Sequence, residues 1–328
     1  QGRINPAYFY GVFDPNDMRR DVSITMTGSN GKGVEKLIPF VPNSKAEGGG
    51  LTLNKWDENR QANPWVAAQR KSGINGPYMR MSEVYLGYAE VCAALGDVVT
   101  GKQYLKTVRE RSFPQGLADT DGFIASFGND LVRAIIEERG FEYAGEGDRR
   151  WTLIRSGYLP EDIKRIKDMT KAMMDGLATK GYYEFENGNI ISAYIWTKLV
   201  DAKTIYGHRL TAQCPMDKVN DPVLYPGWRG QKDNWEEMGL NYGNSAPATN
   251  LAIKGLFEIV SEEEAASLES QGYAKVNWGI DLVDYRDEYD KYLFWDYDYV
   301  SAPIYLWPFT PNVMAAGGFT NGYGFKQE

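Results

Sequence analysis

One histidine and two cysteines in 328 residues remove several chemistries at once. With His208 alone, no multi-histidine zinc or iron site can be built, and a serine–histidine–aspartate triad would rest on that one residue. His208 is read as an ordinary loop histidine. Cys92 and Cys214 stand far apart and form no CxxC pair, so they are read as buried free thiols, with a disulfide between them as the alternative, and not as a redox or zinc motif. No apolar run approaches the ~18 residues of a membrane-spanning helix. The longest candidates, at 131–136 and 304–309, are interrupted. Positive charge is also short: 36 Lys and Arg against 44 Asp and Glu leave a net charge of −8. That balance argues against nucleic acid or an anionic membrane as the main partner.

Aromatic rings are abundant: 9 Trp, 22 Tyr and 13 Phe make up 13% of the chain. Apolar residues at 43% are enough for a sizeable core, so rings outside any helical period are the ones of functional interest. Two groups meet that description. Tyr8, Tyr10, Trp56 and Trp65 flank the Asp14-Pro15 segment. Tyr225, Trp228, Trp235 and Tyr242 alternate with Gly227, Arg229, Asn234 and Asn241. Such rings either pin long loops to a scaffold or stack on a ligand.

The chain divides into four stretches. Residues 1–76 are rich in Gly, Pro and Asn, with a turn or helix start at Asp14-Pro15-Asn16-Asp17, loops at 29–33 and 48–50, and short strands expected at 22–26 and 51–55. Residues 77–157 read as a helical repeat scaffold. Tyr78, Met81, Tyr85, Tyr88, Cys92 and Leu95 recur at steps of three and four, predicting a helix that Gly96-Asp97 ends. A second helix over 100–111 carries Tyr104, Leu105 and Val108 on one face. The pair spans 34 residues, the tetratricopeptide period. One such unit cannot cover its own apolar face, so a neighbouring pair is required. Helices over 130–143, with Leu131, Ile135 and Ile136 apolar, and 148–155, closed by Gly157 and Pro160, supply it. Residues 158–300 are expected to form a long loop-rich insertion with short helices near 163–177, 248–258 and 262–269, and an ordered loop over 216–250. Residues 301–328 should be extended. The fold class is therefore mainly α: tetratricopeptide-like helix pairs, long irregular loops and little sheet.

Chemical motifs fail when their spacing is checked. Gly31-Lys32-Gly33 lacks the Ser or Thr that a phosphate loop needs after its Lys, and Gly145-Glu146-Gly147 lacks the third glycine of a dinucleotide fingerprint. Asp119-Thr120-Asp121-Gly122 resembles the middle of a calcium loop, but Leu117 and Gly128 would occupy its end positions. The run Asp281, Asp284, Asp287, Glu288, Asp290, Asp296 and Asp298 is read as a solvated acidic face, with calcium binding as the alternative. Glu146 with Arg150, and Arg139 with Glu142, stand at spacings that permit structural ion pairs on a helix. No catalytic residue, metal ligand or cofactor site is assigned.

Four separated segments, in order, resemble the C-terminal region of the SusD/RagB family. Residues 13–21, FDPNDMRRD, resemble the family's DP-x-D-x-RRD stretch. Residues 78–90, YMRMSEVYLGYAE, are similar to its RLAEVYLIYAEA helix, followed by 104–111, YLKTVRER, in place of YLNxVRxRA. Residues 136–155, IEERGFEYAGEGDRRWTLIR, resemble ERRxELAFEGHRWFDLRR, with Asp148 where the family has histidine. Residues 305–309, YLWPF, stand for YLFPIP, and Asn321-Gly322-Tyr323 for the following QNPGY.

This resemblance implies a binding protein, not an enzyme. Its expected role is to capture an oligosaccharide at the bacterial surface as a lid on a SusC-type TonB-dependent outer-membrane transporter. It also implies an N-terminal half with a leader and a lipidated cysteine, so this chain is expected to correspond to the family's C-terminal half. The ligand residues expected on this reading are Tyr8, Tyr10, Trp56, Trp65, Tyr225, Trp228, Arg229, Trp235 and Tyr242. Peptide cargo within the same family, an unrecognised glycoside hydrolase and a repeat-type interaction scaffold are the alternatives.

Overall fold

Short polar side chains placed before apolar runs set where the helices begin. The computed structural model describes residues 5–25, 27–29, 35–37, 51–53, 55, 76–201, 249–256, 258–284, 286 and 310–318. Helix α1 (Pro6–Gly11) is capped by Asn5, and α2 (Met18–Ser23) by Asp17, each side chain accepting a backbone N–H of the first turn. Short strands β1 (Ile24–Thr25), β2 (Thr27–Ser29), β3 (Glu35–Leu37) and β4 (Thr52–Leu53) follow, paired β1 with β4 and β2 with β3, both antiparallel. The strand expected over 22–26 begins only at Ile24, because the Asp17 cap starts a helix that runs through Ser23; Met26 lies outside the described residues.

The helical scaffold comprises α3 (Met81–Ala94), α4 (Val98–Glu110), α5 (Thr120–Ala125), α6 (Leu131–Glu142) and α7 (Asp148–Ser156). Asp97 does not end α3; it caps α4 through the Thr100 N–H, while Gly96, at φ 88°, makes the turn. Gly101 lies where α4 crosses α3. A Cβ there would sit 3.0 Å from the Ala89 carbonyl oxygen, so the close crossing requires glycine. The buried face of α3 differs from the expected stripe. Cys92 and half-buried Tyr85 turn to the core as expected, but Ser82, Leu86 and Ala89 complete the inward face, whereas Met81, Tyr88 and Leu95 are 61%, 50% and 82% exposed. Leu86, Leu105, Val108, Leu131 and Ile135 form the core between α3, α4 and α6. Each such buried side chain stabilises the fold by about 1.5–3 kcal/mol.

Among the described residues, the second half is more regular than its sequence suggests. Gly157, at φ 78°, closes α7, but Pro160 opens α8 (Leu159–Lys180), where its missing N–H costs nothing. A hairpin of β5 (Tyr182–Glu184) and β6 (Ile190–Ser192) follows. Strand β7 (Tyr194–Asp201) then forms the centre of a three-stranded antiparallel sheet with β8 (Thr249–Lys254) and β9 (Ala274–Asn277). The helix expected over 248–258 is therefore strand β8 over its first part. Between β8 and β9 lies α9 (Glu262–Ser270), started by a reciprocal Ser261/Glu264 capping box. The chain continues through α10 (Gly279–Asp284) and α11 (Pro311–Gly317), so part of the extended C-terminal stretch is helical.

A second core joins α1, α8, the hairpin, the sheet and α10 around Phe9, Phe13, Met173, Leu177, Ile195, Ile253 and Trp278. Among the described residues there are eleven helices and only short strands. The mainly α, helix-pair architecture expected from the sequence is the one observed.

Candidate functional site

Helix α6 lies between the two cores. Leu131, Ala134 and Ile135 enter the first, and Phe141 enters the second. No face is left for solvent, so Arg133, Glu137, Glu138, Arg139 and Glu142 are all buried. A buried charge without a counter-charge costs several kcal/mol, and each of these has one. Arg19, from the segment after α1, reaches Glu138 at 2.7 Å and Glu142 at 3.2 Å while holding Asp17 at 2.6 Å. Arg109 of α4 takes the other Glu138 oxygen at 3.0 Å. Arg80 bonds Glu142 and Glu146, and Arg111 adds a third guanidinium to Glu142. Burial alone would raise the Glu142 carboxyl, but Arg111, Arg19 and Arg80 together hold it at about 2.

On the opposite side of α6, Glu137 meets Arg133 and Arg149, each at 3.0 Å, and Asp162 of α8 meets Arg149 at 2.9 Å and Arg165 at 2.5 Å. Tyr8 packs against this group. Burial pushes its phenol up to about 12, although the Arg149 guanidinium pulls the other way. A Cβ on Gly140 would meet both the Arg149 guanidinium and the Tyr8 hydroxyl, which explains a glycine in the middle of a helix. Asp148, at the family's histidine position, binds Arg139 at 2.6 Å and accepts the Thr152 hydroxyl. The pairing anticipated along one helix is mostly pairing between elements: Glu146 with Arg80 and Lys55, Arg139 with Asp148 and Glu83.

Beside this charged seam is a cleft of about 350 Å³ between the end of α1, α5 and α6. Phe123, Phe127 and Phe141 wall it. Phe123 and Phe127 meet edge-on at 5.2 Å, with Phe123 and Phe141 at 6.1 Å. Arg109 lies under the wall, its guanidinium 3.9 Å from the Phe123 ring centre and 4.5 Å from that of Phe113. The rim carries Asp14, Asp119 and Ser126. One oxygen of Asp14 accepts the Asn16 N–H and one of Asp119 accepts the Gly122 N–H, each at 2.8 Å. Asn187 also lines the cleft, but its amide donates to the Tyr10 and Phe13 carbonyls and is thereby committed to the scaffold. The Nε atoms of Arg109 and Arg165 lack partners but are sealed from solvent.

Of the ring residues expected to bind ligand, the structure describes two. Tyr10 is fully buried in the second core, near the Arg20 guanidinium. Tyr8 is half-buried, edge-on to Phe9 and Phe13. Trp56, Trp65, Tyr225, Trp228, Arg229, Trp235 and Tyr242 lie outside the described residues, as do His208 and Cys214. Cys92 is a buried free thiol. No group of three or more His, Cys, Asp or Glu side chains suited to a metal occurs among the described residues. The cleft's phenylalanines were not singled out in the sequence. Phe123 and Phe127 were passed over with the failed calcium loop, and only the packing of α5 on α6 brings them to Phe141.

The sequence model of the SusD family matches residues 5–309, a span that contains α6, its arginine partners and the cleft. The SusD-like protein P25 of Formosa agariphila is 28% identical over 160 residues, which are 48% of this chain and 26% of that protein. The chain thus spans about a quarter of the length of the curated relative it matches. No solved structure matches it.

Proposed function

The chain belongs to the SusD family, and from that premise we propose that it captures an oligosaccharide at the outer surface of the cell and delivers it to a SusC-type TonB-dependent transporter. The observation that carries this reading is the family match across residues 5–309. The chemistry of the described residues supports binding without turnover. Glu137, Glu138 and Glu142 are each engaged by two or more guanidiniums, which commits their oxygens to the scaffold and not to a substrate. On this reading the protein is held at the surface through a lipid on an N-terminal segment. That segment and the transporter are the partners this role requires.

Titration calorimetry against a panel of oligosaccharides and of peptides tests the cargo, with chromatography of the recovered ligand testing for cleavage. Saturable binding of a glycan that is recovered intact is expected. Binding of peptides alone would move the assignment to the peptide-carrying alternative. Protein-dependent cleavage lost on a single carboxylate substitution would make the protein a hydrolase.

A further inference from the structure

We propose that the cleft between α1, α5 and α6 is a subsite for a single uncharged, hydroxyl-rich sugar ring. This assignment rests on the glycan-capture reading and adds a place and a selectivity to it. The first ground is size: about 350 Å³ lies at the lower end of ligand pockets and suits one or two pyranose rings. The second is the wall. Phe123 and Phe127 are half-buried, so ring surface remains available to the apolar C–H face of a pyranose.

The third ground is the polarity of the rim, where Asp14, Asp119 and Ser126 offer acceptors. Asp14 and Asp119 each spend one carboxylate oxygen on a backbone N–H and keep the other. The Ser126 hydroxyl donates to the Phe123 carbonyl, so its lone pairs face outward as acceptors. The donors nearby are largely engaged: Arg109 with Glu138, Arg165 through one terminal nitrogen with Asp162 and Glu137, and Asn187 with the Tyr10 and Phe13 carbonyls. The free oxygens of Asp14, Asp119 and Ser126 call for hydrogens from a ligand, as sugar hydroxyls supply. A uronate, sulfate or phosphate would bring acceptors and negative charge to two carboxylates. A peptide backbone would leave its carbonyls without donors.

The test uses the whole chain and ligand-observed NMR, with methyl glucoside, galactoside, mannoside and xyloside compared against glucuronate and galacturonate. The substitutions are Phe127→Leu, which keeps bulk but removes the ring, and Asp14→Asn, which keeps the turn but converts the free oxygen to a donor. At least one neutral glycoside should bind. Each variant should weaken it roughly fivefold to tenfold at unchanged melting temperature, and uronates should bind more weakly still. Equal binding of the neutral glycosides by both variants, or preference for uronates, would overturn the subsite. If the variants are silent while a longer glycan still binds the chain, only the subsite fails. If no glycan binds wild-type protein, the capture reading fails with it.

Discussion

Glu138 serves two arginines from different elements, and that makes it the residue whose loss should be felt most. Glu138→Ala leaves Arg19 and Arg109 buried beside an apolar hole, and breaking a buried pair in this way costs about 3–5 kcal/mol. The exposed pair Lys164–Asp168 has nothing comparable to lose, so Asp168→Asn should change stability by less than about 0.5 kcal/mol. Urea unfolding of both variants checks the contrast; similar midpoints would show that the buried seam is not what holds α2, α4 and α6 together. At the same scale, Trp228 and Trp235, outside the described residues, are proposed as sugar-stacking rings. Alanine at either position should weaken glycan binding roughly tenfold with little change in melting temperature. Normal binding with much earlier melting would mark them as loop pins and direct the search to Trp56 and Trp65.

Among the elements, α3 shows why part of the fold was legible and part was not. Its existence and the turn after it could be read from spacing and from Gly96-Asp97. Its buried face could not, because the helix carries two apolar stripes. Ser82, Leu86, Ala89 and Cys92 turn inward; Met81, Val84, Tyr88, Val91 and Leu95, also at steps of three and four, stay exposed. Periodicity gives a helix but does not choose between two stripes, and the expected set mixes them: Tyr85 and Cys92 face the core, Met81, Tyr88 and Leu95 do not. Strand β8 was misread for a related reason. Leu251 and Ile253 alternate as in a strand, Ala252 and Leu256 fit a helix, and only pairing with β7 decides. The charged seam was visible as a motif on 136–155, but its partners come from residues up to 123 positions away. The exposed stripe of α3 has the width and pattern of a helix-docking seam, and we propose that a helix of the family's N-terminal half covers it. The isolated chain should then bind an apolar dye, and Val84→Glu with Val91→Glu should reduce that binding without lowering the melting temperature. Dye binding unchanged by the pair of substitutions would place the exposed seam elsewhere.

The molecule as a whole should be acid-sensitive through its interior more than through its surface. Glu142 has an ordinary value of 4.5 and is held at about 2 in the fold, and Asp162 is lowered in the same direction, burial being overcome by Arg149 and Arg165. A carboxyl depressed on folding binds fewer protons folded than unfolded. Its contribution is complete above the unfolded value and disappears as pH falls through the folded one. For Glu142 that window runs from about pH 4.5 down to about 2, and the contribution at neutral pH is on the order of 3 kcal/mol. Stability measured by urea unfolding should therefore be level from pH 8 to about 5 and fall steeply below. Glu142→Gln should be less stable at pH 7 and lose less on acidification, so that the two curves converge near pH 2. Salt separates this interior effect from surface charge. Screening acts on exposed pairs and far less on side chains sealed between helices, so 1 M sodium chloride should barely alter the acid slope. A slope that flattens in salt, or is the same with and without the Glu142 carboxylate, would place the acid sensitivity on the exposed carboxylates instead of the seam around α6.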